Sequence, residues 1–201
     1  AASDVYKRQD VKSVFAGLRP LAAEQGNSNQ TKEVSRHHKV NVSTSGLISV
    51  LGGKWTTYRK MGEDAINTSA LVGGLKEQKC KTKKLLLHGY DQEADISDPL
   101  HVYGSDRKKI ILMGQPEDNE SLSEKFYISK NLILWSIEQE MAIHLEDVLA
   151  RRTRCLFLDA KETFKIAPKV AEIMAESLQK DEDWIANELR EFNTITQNYI
   201  V

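Results

Sequence analysis

The stretch "SGLISVLGGKWTTYRKMGEDAI", Ser45 to Ile66, passes from an apolar β-rich run into two glycines, a lysine, two threonines and then a helical pattern. A solvent loop needs no such order. Glycines let backbone N–H groups approach a ligand closely. A helix start adds unpaired donors and about half a positive charge. Lys54 supplies a full charge beside them. The arrangement suits an anion or the edge of a cofactor. It is not a phosphate-binding P-loop, because Lys54 follows Gly52 and Gly53 directly, without the four-residue spacer. A tight strand-to-helix turn with no ligand is the plain structural alternative.

The same reading extends upstream and downstream. "VKSVFAGLRPL" (Val11 to Leu21) reads as a strand running into a proline-marked turn. "VSRHHKVNV" (Val34 to Val42) alternates as a second strand, and "GLISVLGG" as a third. After Gly53 the period changes, with Tyr58, Met61, Ala65 and Val72 at helical spacing. Thr56 or Thr57 is the expected cap of that helix and Gly73-Gly74 its stop. Gly62 inside it points to close packing against a neighbour. Arg19 at one strand end, Arg36 at the next strand's start and Lys54 after the double glycine could converge on one side of a small sheet. There they would grip a phosphate or carboxylate.

Residues 75–98 read as a charged connector. From residue 99 the chain reads as helical. Ser105 is placed to cap "DRKKIILMG", and "SLSEKFYISKNLILWSIEQEMAIH" carries a stripe through Phe126, Ile133, Ile137 and Met141. "LEDVLARRT" reads as a short helix, Asp159 as the cap of "AKETFKIA", and Pro168 as a fresh helix start. A last helix is expected from Glu182 to Tyr199. Trp135 belongs to the core, and Trp184 anchors the last helix. The opening residues 1–9 contain "DVYKRQ", similar to a translated transposon-end adaptor, and are set apart as an artefact. The expected organisation is therefore 1–9 artefact, 10–74 α/β part, 75–98 connector and 99–201 helical domain.

Composition narrows the function classes. The 201 residues carry a net charge of -1, which argues against bulk electrostatic binding of nucleic acid. Cys80 and Cys155 show neither ligand spacing nor a disulfide framework, as expected for thiols of a reducing compartment. The five histidines show no metal spacing. His88 and His144 read as local hydrogen-bonding groups. "EDVLARRTR" reads as a basic helix end that docks the helical domain onto the α/β part, and "KCKTKKLLLHGY" as a charged connector. No apolar run is long enough to span a bilayer.

The ordered set "AGLRPL … SRHHKV … SGLISVLGGKWTTYRKMGEDAI" resembles the second half of the FAD-dependent glycerol-3-phosphate dehydrogenases. "EMAIHLEDVLARRTRCLFLDA" (Glu140 to Ala160) resembles the helical C-terminal domain specific to that family. The fold implied is an α/β piece of a glycine-oxidase-like FAD oxidoreductase followed by an all-α domain. The activity implied is oxidation of sn-glycerol 3-phosphate to dihydroxyacetone phosphate, with hydride passing to FAD and electrons to quinone. Arg19 then lies by the substrate hydroxyl carbon, as the catalytic arginine. Arg36 and Lys54 bind the phosphate side, and Gly53, Lys54, Trp55, Thr56 and Thr57 lie against the flavin pyrimidine edge. One departure from the pattern is His37, where the family more often carries an acid. The implied location is cytoplasmic, with peripheral association at the inner face of the cell membrane. Two alternatives stand beside this reading: an oxidase that passes electrons to oxygen, and a non-enzymatic helical module with oxidoreductase remnants. The chain has no GxGxxG unit for the FAD diphosphate. The 201 residues alone are therefore expected neither to hold FAD nor to turn over.

Overall fold

The computed structural model describes residues 7–18 and 37–200. They divide into two compact units, one from 7–16 and 88–200, the other from 17–18 and 37–87. The expected connector 75–98 is thus split between the two units.

The smaller unit is a hairpin and a helix. β1 (His38–Val42) and β2 (Ile48–Gly52) pair antiparallel, with Val40 opposite Val50 and His38 opposite Gly52. Ser43 ties the connecting turn, its hydroxyl accepting from the Leu47 N–H at 3.0 Å. After a single 3-10 turn, Trp55–Thr57, comes α1 (Tyr58–Val72). It stops where two glycines allow it to. Gly74 takes φ +63, Leu75 N–H donates to Ala70 C=O at 2.8 Å, and Gly74 N–H donates to Leu71 C=O at 3.3 Å. This doubly bonded ending satisfies carbonyls the helix would otherwise leave open. The close packing expected at Gly62 is absent, since a Cβ there would meet nothing within 4 Å. None of residues 37–87 is fully buried.

The larger unit is helical and has a dense core. Its elements are α2 (Arg107–Ile111), α3 (Lys130–Glu138), α4 (Cys155–Leu158), α5 (Ala160–Leu178) and α6 (Glu182–Gln197). A π-helical stretch, Asp147–Arg152, precedes α4. Ile133, Leu145, Leu149, Leu156, Val170, Met174 and Phe192 lie at its centre. A second cluster gathers Leu100, Ile110, Leu132 and Trp135. The two long helices begin on aspartates: Asp159 accepts from Glu162 N–H and Asp181 from Trp184 N–H, both at 2.9 Å. Each cap satisfies a donor that the first turn cannot.

Four sequence expectations change here. Residues 11–18 form no strand. Val14 N–H donates to Tyr199 C=O at 2.9 Å, the Ser13 hydroxyl donates to Leu156 C=O at 2.7 Å, and Phe15 meets Phe157 edge-on at 4.9 Å. Val14 N–H and Lys12 C=O find their partners in the helical unit rather than in a neighbouring strand. The long helical stripe is also shorter than expected, with only 130–138 forming α3. The Ser121 hydroxyl donates to Ser123 C=O, Leu122 N–H donates to Ile128 C=O, and Ser129 caps α3, so the serines hold 121–129 in a loop. Met141 ends up exposed at φ +55.

Pro168 does not start a helix but lies inside α5. It sits on the exposed face, where water can take up the carbonyl it leaves without a donor. Ser105 does not cap α2: Asp106 is the residue at the N-cap position of that helix, and Ser105 N–H donates to Gly89 C=O at 3.1 Å.

Candidate functional site

The double glycine makes the turn that the opening stretch suggested. Gly52 and Gly53 both have positive φ, +71 and +86. At Gly53 a side chain would also lack room, since its Cβ would fall 2.8 Å from Met61 Sδ and 3.1 Å from His38 Cβ. The backbone therefore runs against α1 and β1 at one point, then leaves in the extended conformation at Lys54.

Lys54 to Thr57 close on themselves. Thr57 N–H donates to Lys54 C=O at 2.9 Å, and the Thr57 hydroxyl donates to the same carbonyl at 2.8 Å. Thr57 stands at the N-cap position of α1, as expected, but its hydroxyl turns back onto Lys54 and makes no side-chain cap bond to the helix. The N–H groups of Trp55 and Thr56 have no acceptor among the described residues. Trp55 is 88% exposed and stacks on Tyr58 with ring centroids 5.9 Å apart.

The charges around the turn are unequally paired. His38 Nε2 lies 2.9 Å from Asp64 Oδ2, and Lys60 Nζ lies 2.5 Å from the other carboxylate oxygen. The Lys60 contact, helped by His38, holds the Asp64 carboxyl below its ordinary value. Arg59 pairs with Glu63 at 2.8 Å and also reaches Thr82. Lys54 has no hydrogen-bond or ion-pair partner for its ammonium among the described residues. Among the described residues, an exposed loop thus carries a cation and two N–H groups without partners beside the Trp55–Tyr58 aromatic pair, with Met61 and His38 packed against Gly53 and His38 tied to Asp64. That arrangement can receive an anion or a flat polar edge.

Gly53, Lys54, Trp55, Thr56 and Thr57 are therefore neighbours on one turn. Arg19 and Arg36 lie outside the described residues. The His38–Asp64 tie was not found by sequence reasoning. Its two members are 26 residues apart, and only the register that sets His38 opposite Gly52 brings them together.

In the helical unit, the basic run of "EDVLARRTR" is consumed locally. Arg151 pairs with Glu146 and Asp147, each at 2.8 Å, and Arg152 donates to Glu140 C=O. The partners of Arg151 and Arg152 lie within this unit. Arg154 takes φ +60 just before α4. His88 and His144 each meet a carboxylate, Asp106 and Glu188 respectively. No cluster able to hold a metal ion occurs among the described residues.

Comparison with known proteins identifies the chain's relatives. A family model for the C-terminal domain of alpha-glycerophosphate oxidase matches residues 50–184. The mitochondrial glycerol-3-phosphate dehydrogenase of Mesocricetus auratus is 32% identical over 200 residues, covering 89% of this chain and 27% of that protein. A probable mitochondrial glycerol-3-phosphate dehydrogenase of Dictyostelium discoideum is 31% identical, covering 96% of this chain and 33% of its own length. The Bos taurus mitochondrial enzyme is 31% identical over 91% of this chain and 28% of its own length. The chain spans about a third or less of the curated relatives it matches. By the match over residues 50–184, it belongs to the alpha-glycerophosphate oxidase and glycerol-3-phosphate dehydrogenase family and carries that family's C-terminal domain.

Proposed function

We propose that this chain is part of a flavoprotein that oxidises sn-glycerol 3-phosphate to dihydroxyacetone phosphate, with FAD as hydride acceptor and quinone as the onward electron acceptor. The supporting observation is the turn at residues 52–57, where the Lys54 ammonium and the N–H groups of Trp55 and Thr56 have no partner among the described residues. The residues fit a flavin edge: the turn offers exposed backbone donors and a cation, and its aromatic pair offers a flat wall. FAD, when bound, would supply the two-electron acceptor for the substrate's hydride.

The chain's own groups have complementary tasks. Gly53 through Thr57 would lie along the flavin's polar edge, with Lys54 and the turn's N–H groups stabilising negative charge there. Lys54 and Arg36 would anchor the substrate phosphate, so that binding energy fixes the carbon to be oxidised. Arg19 would stabilise charge developing on the substrate oxygen. In this reading the glycine-oxidase-like part reaches from residue 10 to 74, and the helical domain supports it. The relatives' names favour a mitochondrial setting over the cytoplasmic one, and a quinone acceptor favours peripheral association with a membrane.

A second reading is favoured by the family description itself, which names an oxidase. Oxygen uptake with peroxide formation would select it over quinone reduction.

The test is made on a longer protein containing this chain and spanning the length of its relatives. It should purify with flavin absorbance that bleaches on addition of sn-glycerol 3-phosphate. Arg19→Ala should lower kcat at least ~100-fold, the scale of one lost transition-state donor. The 201-residue chain alone should carry no stoichiometric flavin. A longer protein without flavin, or with flavin that ignores glycerol 3-phosphate, contradicts the proposal.

A further inference from the structure

The helical unit holds a cavity of about 450 Å³ to which the oxidoreductase reading gives no task. A glycine shapes one side of it. Gly104 takes φ +50, and a Cβ there would collide with Gly89 C=O, the carbonyl that accepts from Ser105 N–H at 3.1 Å. Glycine at 104 is what lets residues 88–89 press against 101–106. Tyr103, Asp106, Trp135 and Glu140 also line the cavity, with His88 and Lys109 at exposed positions.

The two carboxylates of the lining are unequally satisfied. Asp106 is buried, with one oxygen on His88 Nε2 and the other on Lys109 Nζ at 2.7 Å. Lys109 is the one ammonium of the lining, and that contact engages it. Glu140 Oε2, by contrast, is shut off from solvent and has no hydrogen-bond partner among the described residues. Arg152 Nε stands 3.9 Å from it, because that guanidinium donates instead to Glu140 C=O, at 3.0 and 2.6 Å. Burial pushes the Glu140 carboxyl above its ordinary value in spite of Arg152. The Tyr103 hydroxyl, which burial keeps neutral, also lacks a partner among the described residues. A buried carboxylate without a donor is unfavourable. A positively charged ligand head removes that penalty, and the faces of Trp and Tyr rings attract the same kind of head. An ammonium on a short hydrocarbon stem can donate to Glu140 and Tyr103 while its stem lies on Trp135. The volume is that of a small-molecule site.

We infer that this cavity binds a small organic ammonium ion, with Glu140 as its counter-charge and Trp135 and Tyr103 as its aromatic wall. The site is built within residues 88–140 and is independent of the oxidoreductase chemistry, which glycerol 3-phosphate turnover reads separately.

The experiment titrates n-butylammonium chloride into the 201-residue chain and follows the indole N–H resonances by NMR. The Trp135 signal should shift to saturation while those of Trp55 and Trp184 stay in place. n-Butanol has the same stem without the charge and should bind about 10-fold more weakly, the scale of one hydrogen bond to a charged group. Glu140→Gln keeps the shape and removes the charge. It should weaken n-butylammonium about 10-fold and leave n-butanol unchanged. The comparison of the two probes on the unaltered chain decides the matter even if that variant fails to fold. Equal affinity for amine and alcohol, or a Trp135 signal that never moves, overturns the proposal. The titration is repeated on the longer protein that spans the length of its relatives. Retained affinity there supports a site for a free amine. Loss of binding shows that the protein itself fills the cavity, and also overturns it.

Discussion

Residues 88–200 and residues 37–87 solve the folding problem in different ways. The first region buries Ile133, Leu145, Leu149, Leu156 and Phe192 together and starts its long helices on aspartate caps. The second has regular hydrogen bonding, with a five-residue hairpin register and a helix ending in a glycine stop, but no fully buried side chain. Backbone order and a core are separable properties. Hydrogen bonds contribute little net stability when water competes for the same groups, and most helical stability comes from tertiary packing of the apolar face. The region bearing the candidate site should therefore be the weaker one, and the helical region the more stable one.

The largest effect should come from cutting into the helical core. Phe192→Ala should cost about 3–5 kcal/mol in a denaturant melt, whereas Leu51→Ala on the exposed hairpin should shift the same transition by no more than about 0.5 kcal/mol. Equal effects would erase the contrast.

A gain is expected at Pro168. A helix-interior proline is about 3 kcal/mol worse than alanine, and its loss restores roughly 0.4–1 kcal/mol of unfolded-chain entropy. Pro168→Ala should therefore stabilise the helical unit by about 2 kcal/mol in the same melt. Destabilisation would show that α5 needs the interruption.

Gly53→Ala combines a positive φ with contact against Met61 Sδ, and should cost about 1–3 kcal/mol locally. It should raise hydrogen exchange in α1 while leaving α5 unchanged.

The smallest effect is a pH dependence. The Glu188 carboxylate, aided by Asp147 and Glu191, raises the His144 pKa above its ordinary 6.5. A raised histidine contributes stability that is complete below the unfolded pKa and is lost as pH rises through the folded one. The helical unit should therefore lose some stability as pH climbs above 6.5. Because the ring is largely exposed, the loss should stay below about 1 kcal/mol. His144→Ala should abolish it.

What could be read from sequence was mostly local. Asp159 and the Gly73-Gly74 pair act within one turn of themselves, so their roles show in the residues alone. The β1–β2 hairpin and α1 likewise follow from alternation and a change of period. The misreadings have more than one cause. Val11, Val14 and Phe15 look like a strand, but Val14 and Phe15 find their partners in Tyr199 and Phe157, far along the chain. Phe126 fits a helical stripe that the serines of 121–129 interrupt, and Met141 falls beyond the end of α3 at φ +55. Gly62 signals a close neighbour by its type, yet stands over open space. At the site, the Gly53-to-Thr57 turn was legible because five consecutive residues make it. The His38–Asp64 tie behind it was not, because strand register creates it.

Hydrogen exchange of the 201-residue chain, followed residue by residue under native conditions, tests the central contrast most directly. The account predicts slow exchange through α3, α5 and α6, governed by global unfolding. It predicts fast exchange through β1, β2 and α1, governed by local opening. If β1, β2 and α1 are protected as strongly as α5, the site-bearing region holds a stability of its own and the account is wrong.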